Sequence, residues 1–219
     1  MGQQEEKIRE LHQLMEERYG NLKWWPADTA FEMAVGAILT QNTKWQNVEK
    51  AIKILKKRGL MKPEALWQAG EEEIEQAIRP AGCYRIKSNR LRNFIEFIME
   101  GYGGSLEKLF NEELKIARKQ ILSVSGIGNE TADCILLYGG NLPVFVVDGY
   151  TRRILERHNI ISGEKPYEEI QEIFKKALPK NATLFKNYHA LFVRTGKDHC
   201  RSRARCDGCP LECEGNNVA

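Results

Sequence analysis

Apolar residues recur at intervals of three and four along almost the whole chain: Ile8, Leu11, Leu14 and Met15, then Val48, Ala51, Ile52 and Leu55, then Leu106, Leu109, Phe110, Leu114, Ala117 and Ile121. Such spacing lays one apolar stripe along each of a series of helices. Strand-like alternation is almost absent. The one valine-rich run, Val144 to Val147 after Pro143, is too short and isolated to found a sheet and reads as an extended connector. Short punctuators separate the helices: Gly20-Asn21, Arg58-Gly59, Lys62-Pro63, Arg79 to Gly82, Gly101 to Gly104 and Gly139 to Pro143. The stretch Ala30 to Leu39, AFEMAVGAIL, is apolar on nearly every face and belongs at the centre of a helical core. The pattern predicts an all-α fold, with no internal repeat and no low-complexity tract.

Length and composition narrow the class. A chain of 219 residues can build one large domain or two small ones around cores that need no disulfide support. With 42% hydrophobic and 29% charged residues it reads as a soluble globular protein, and no apolar run approaches the roughly 18 residues of a membrane span. The N-terminal MGQQEEKIRELHQLMEERYG is an amphipathic helix rather than a signal peptide, so a cytoplasmic protein, nucleoid-associated if it binds DNA, is expected. Four of the six cysteines fall in the last twenty residues while Cys83 and Cys134 stand alone, a distribution that favours metal ligation over a secreted disulfide framework. The net charge of +3 says little about partners, but five basic residues against one acidic between Arg194 and Arg205 could hold a phosphate backbone.

Two segments carry candidate chemistry. In LSVSGIGNETADCILLY, Leu122 to Tyr138, a helix rich in Lys and Arg runs into Ser125-Gly126-Ile127-Gly128 and a second helix starts near Asn129. The glycines permit a sharp turn with uncovered amides beside a helix N-terminus, which suits an anion, while Ile127 plugs the turn into the core. An ordinary packing joint between two helices would look the same from the glycines alone. In PVFVVDGYTRRILERH, Pro143 to His158, an extended run delivers Asp148 to a helix start, where the helix dipole favours its ionised form. A capping carboxylate can also face a cleft and stabilise an oxocarbenium-like sugar or orient a water.

The C-terminal CRSRARCDGCPLEC offers four thiols, Cys200, Cys206, Cys209 and Cys213, as C-x5-C-x2-C-x3-C. Both a cubane iron–sulfur cluster and a structural zinc ion take four sulfur ligands. Zinc more often joins two C-x2-C knuckles, and a single one is present, so the spacing leans toward iron–sulfur. Arg201, Arg203 and Arg205 alternate; in an extended segment they project to one side and meet phosphates together. His158, His189 and His199 lie nearby and read as structural histidines.

Together, LSVSGIGNETAD, VVDGYTRR and the four-cysteine loop resemble the helix-hairpin-helix DNA glycosylases of the endonuclease III superfamily, in matching order and over essentially the whole chain. The resemblance implies a six-helix barrel domain over about residues 28–135 and a second helical domain from 1–27 and 136–219. It also implies a [4Fe-4S] cluster on the four cysteines, double-stranded DNA with a damaged base as partner, a monomer, and a nucleotide flipped into the cleft between the domains. Gly126, Ile127 and Gly128 match the hairpin that grips DNA, Asp148 matches the catalytic aspartate, and Gln41 matches a residue that fills the gap left by the flipped base. The cysteine loop is shorter than the family usually shows, which bears most on Cys213.

One departure sharpens the expected activity. Where bifunctional members carry a lysine whose amine attacks the sugar, this chain has Glu130, and a carboxylate cannot form an imine. The sequence therefore resembles the monofunctional members, which hydrolyse the base–sugar bond and leave an abasic site. The stretches LKWWPAD and TQNTKWQ resemble the branch that excises alkylated purines such as 3-methyladenine, with Trp24, Trp25, Trp45 and Glu130 around the extruded base. The alternatives are a bifunctional glycosylase and abasic-site lyase acting on oxidised pyrimidines, a glycosylase for deaminated or mismatched bases, and a non-catalytic damaged-DNA binding module.

Overall fold

The computed structural model describes residues 2–22 and 24–212. Its helices are α1 (Gln3–Tyr19), α2 (Ala30–Leu39), α3 (Trp45–Lys57), α4 (Pro63–Gln68), α5 (Glu71–Ile78), α6 (Tyr84–Tyr102), α7 (Leu106–Phe110), α8 (Leu114–Leu122), α9 (Asn129–Cys134), α10 (Gly149–Arg157), α11 (Tyr167–Ala177) and α12 (Ala182–Asp198). Among the described residues the fold is helical, with one isolated antiparallel bridge, Cys200 to Ala204. The chain divides into two compact units, Trp25–Leu142 and Met1–Trp24 with Pro143–Ala219.

The first unit holds α2 to α9 around α2, which is buried from Phe31 to Leu39. Thr29 caps that helix by accepting from the Glu32 amide at 3.1 Å, and the buried Glu32 carboxylate is answered by Lys56 Nζ at 2.7 Å. The apolar spacing of residues 106–121 reads as one run, yet it folds as two helices. The amides of Asn111 and Glu112 turn back to Glu107 and Leu109, ending α7, and α8 starts afresh after Glu113 with Ala117 and Ile121 inward. Spacing alone cannot see that break, because both helices turn an apolar face to the same core. After α9 the chain widens into a π-helical turn, Ile135–Gly139, which carries Tyr138.

The second unit gathers α1, α10, α11 and α12. Its core is aromatic: Phe145 stacks on Phe174 at 3.7 Å, and Tyr188 on Phe192 at 4.7 Å. Val144 to Val147 forms the expected extended connector, but it is fully buried rather than superficial. A buried irregular backbone needs partners. Gln171 Nε2 donates to the Phe145 carbonyl at 2.7 Å, and the Val147 amide donates to the Tyr167 hydroxyl at 3.1 Å.

Candidate active site

Within Trp25–Leu142, the hairpin lies between α8 and α9. Ile127 is buried and its amide donates to the Val124 carbonyl at 3.1 Å, while Ser125, Gly126 and Gly128 are exposed. Gly126 has φ +90°, and a side chain there would meet Arg90 Cγ at 2.3 Å, so both backbone and space demand glycine. Gly128 caps α9 from an extended conformation. The two helices are clipped together by a half-buried ion pair: Arg118 Nε meets Asp133 Oδ1 at 2.7 Å, and a further nitrogen of Arg118 donates to Asn129 Oδ1 at 3.1 Å. Asp133 is fully buried.

Gln41 sits against this hairpin, just beyond the C-terminus of α2. Its Nε2 donates to Thr131 Oγ1 at 2.9 Å and to the Gly126 carbonyl at 3.3 Å, and its Oε1 accepts from Arg90. Asn93 Nδ2 adds a bond to the Ser125 carbonyl at 3.0 Å. Helix α6 thus holds the hairpin from below through Arg90 and Asn93. Neither residue stands out in the sequence, because each is one polar position on a long amphipathic helix.

Two of the four residues expected around an extruded base come together. Trp25 and Trp45 meet edge to face with centroids 5.4 Å apart, and Tyr138 adds a third ring 5.2 Å from Trp25. Trp45 Nε1 donates to Glu49 at 2.9 Å. Trp25 takes φ +71°, a left-handed backbone conformation that a tryptophan adopts only under constraint from its surroundings. Trp24 is part of the other unit, where Lys197 Nζ lies 5.0 Å from its ring. Glu130 is exposed in the first turn of α9.

In the unit of Met1–Trp24 and Pro143–Ala219, Asp148 caps α10. Its Oδ1 accepts from the Thr151 amide at 2.7 Å and from Thr151 Oγ1 at 2.8 Å, and its Oδ2 lies 3.6 Å from His189 Nε2 on α12. Burial is the largest influence on this carboxyl and opposes ionisation. His189 and the Thr151 bonds outweigh it, so the group lies below its ordinary value of 3.8. The Asp-Gly-Tyr-Thr spacing makes the cap legible from sequence. Histidine 189 is 41 residues away from Asp148 and reads as one structural histidine among several.

Around the C-terminal loop, Cys200, Cys206 and Cys209 line one cavity of about 230 Å³ with Arg157, His158 and His199. None of the three is disulfide-bonded. Burial pushes the Cys209 thiol up to about 11, so a thiolate there needs a cation beside it. Three thiols around one cavity fit a group that takes several sulfur ligands, an iron–sulfur cluster and a structural zinc ion alike. Cys213, the fourth expected ligand, lies outside the described residues.

The arginines do not form the extended row that alternation suggests. The loop closes on itself through the Cys200–Ala204 bridge and a bond from the Arg205 amide to the His199 carbonyl. Arg201 Nε turns back to the Lys197 carbonyl at 2.6 Å, Arg203 is exposed, and Arg205 lines the cysteine cavity. Arg157 holds the turn, with one nitrogen 3.1 Å from Cys200 Sγ and bonds to the carbonyls of Arg201 at 2.6 Å and Ser202 at 2.7 Å.

Comparison with known proteins places the chain in a family. The sequence profile described as "HhH-GPD superfamily base excision DNA repair protein" matches residues 35–180. Protein MJ1434 of Methanocaldococcus jannaschii, which carries a provisional name as a DNA repair glycosylase, is 44% identical over 208 residues, 94% of each chain. A solved endonuclease III bound non-covalently to DNA superposes with a TM-score of 0.82 at 22% identity, over 94% of this chain and 92% of that one. The 3-methyladenine DNA glycosylase of H. pylori, solved with 1,N6-ethenoadenine, gives a TM-score of 0.75 at 26% identity, over 89% of this chain and 97% of its own.

Proposed function

The chain belongs to the HhH-GPD superfamily of base excision DNA repair proteins, and from that premise we propose that it is a monofunctional DNA N-glycosylase that hydrolyses the bond between deoxyribose and an alkylated purine of the 3-methyladenine type. The observation that carries this reading is Asp148: a buried carboxylate with one oxygen held by a helix cap, the other not used by that cap, and a net preference for the anion. Such a group stabilises the positive charge that develops on the sugar as the base departs. An alkylated purine already carries positive charge and leaves without a strong general acid, so an anion on the sugar side is the main chemical requirement. Water then completes the hydrolysis, because Glu130 offers no amine for imine formation.

The remaining residues divide the work of binding. The exposed backbone at Gly126 and Gly128, beside the start of α9, suits a DNA phosphate, with Ile127 anchoring the turn. Gln41 fills the space that the flipped base vacates. The rings of Trp25 and Trp45, joined by Tyr138, suit a cationic purine better than its neutral parent. Trp24, with Lys197 over its ring, and Glu130 at the exposed start of α9 complete the set of base-side residues. Cys200, Cys206, Cys209 and Cys213 would hold a [4Fe-4S] cluster, whose contribution is to fix the loop covalently. Arg201, Arg203 and Arg205 are the phosphate contacts on that loop.

The test is a panel of duplexes carrying 3-methyladenine, hypoxanthine, uracil or an oxidised pyrimidine. Release of the methylated purine without strand nicking is expected. Nicking without added alkali, or a borohydride-trapped covalent complex, would overturn the monofunctional reading, and preferential release of uracil would overturn the substrate.

A further inference from the structure

Asp148 has two oxygens in different circumstances. Oδ1 is taken by the α10 cap, with two bonds from Thr151, whereas Oδ2 faces His189 Nε2 across 3.6 Å. Both side chains are nine-tenths buried or more, at 9% and 4% exposed. That separation is just beyond a hydrogen bond, and a movement of about half an ångström by either side chain closes it. His189 enters from α12, which packs against α10, so the two oxygens are addressed from two helices.

We propose that His189 is the positioning residue of the catalytic carboxylate, fixing its plane from Oδ2 while Thr151 fixes it from Oδ1. The inference rests on the reading of Asp148 as the catalytic group. Two donors on opposite oxygens determine the rotation of a carboxylate, whereas the cap alone leaves one oxygen unguided. Burial opposes the anion, and His189 heads the interactions that offset it. Helix α10 contributes the uncharged Thr151, and α12 contributes Lys197, whose charge reaches Asp148, and the mutually paired Arg194 and Asp198. Helix α1 presents His12 and Glu16, which engage Tyr188 and Asn187.

The experiment compares Asp148→Asn, His189→Phe and His189→Gln by single-turnover release from the duplex panel across about pH 4 to pH 8, with DNA affinity and melting measured in parallel. The phenylalanine variant should keep its affinity for DNA, lose roughly tenfold in release rate at neutral pH, and show an acid limb about one unit or more higher than the wild type. The glutamine variant, which keeps a hydrogen-bond donor at that position, should fall between. A residue that only fills space would change melting and leave the limb in place. Wild-type release by Asp148→Asn, or no release by any form, overturns the reading of Asp148 and this inference together. An inactive Asp148→Asn beside a folded His189→Phe with an unmoved limb overturns the inference alone; should the phenylalanine variant fail to fold, an unmoved limb and rate in His189→Gln do the same.

Discussion

At the scale of single residues, Asp148 is buried yet favours its anion, and asparagine separates that charge from the role as a cap. Asparagine caps a helix about as well as aspartate, so Asp148→Asn should fold, bind DNA and release no base, as release and binding assays on one preparation will show. Alanine forfeits the cap as well and should cost about 1 kcal/mol more in denaturant melts. The carboxyl lies below its ordinary 3.8, so its contribution to stability is complete above that value and disappears as pH falls through the lowered folded value. The stability gap between wild type and Asp148→Asn should therefore be open at neutral pH and closed in strong acid. The aspartate was legible from an extended run meeting a helix. His189, Arg90 and Tyr138 were not, because their significance lies in partners 41, 49 and 113 positions away: Asp148, Gln41 and Trp25.

At the scale of elements, glycine spacing and apolar period foretold the hairpin with its buried isoleucine and the central helix α2. Periodicity failed where two helices share a face, at the break between α7 and α8, and alternation failed at the arginine loop, where a backbone bridge overrides extension. Gly126→Ala should weaken DNA binding sharply, since it opposes both a φ of +90° and the Arg90 side chain, and fluorescence anisotropy will read the loss. Gly196→Ala tests the packing of α12 on α10: the added carbon would lie 2.2 Å from Tyr150 Cδ1, and such overpacking costs about 1–3 kcal/mol in thermal or denaturant melts. Arg203→Gln should leave the fold alone and lower the slope of log affinity against log salt by about 0.9 if Arg203 meets one phosphate.

At the scale of the whole molecule, the N-terminal helix shares a unit with the last third of the chain, an association that local pattern cannot show and that only the family resemblance suggested. Specific bonds make it: Gln4 Nε2 to the Ile160 carbonyl at 2.6 Å, Tyr188 to the Ile8 carbonyl at 2.6 Å, and the Leu22 amide to Asn187 at 2.8 Å. The cysteine loop hangs from the same unit through Arg157. If Cys206 ligates the proposed [4Fe-4S] cluster, Cys206→Ser should abolish visible cluster absorbance and weaken DNA affinity while far-UV circular dichroism stays near wild type, because the helices have apolar cores of their own.

The connector from Val144 to Val147 has a further consequence. Loops usually exchange their amide protons through small local openings, on a timescale unrelated to melting. This one is locked into an aromatic core and bonded by Gln171 and Tyr167, so the Val147 amide should exchange only when its whole unit opens. An aspartate at the end of such a tether has no private mobility. On warming, the temperature at which turnover fails and the temperature at which that unit comes apart should be one and the same.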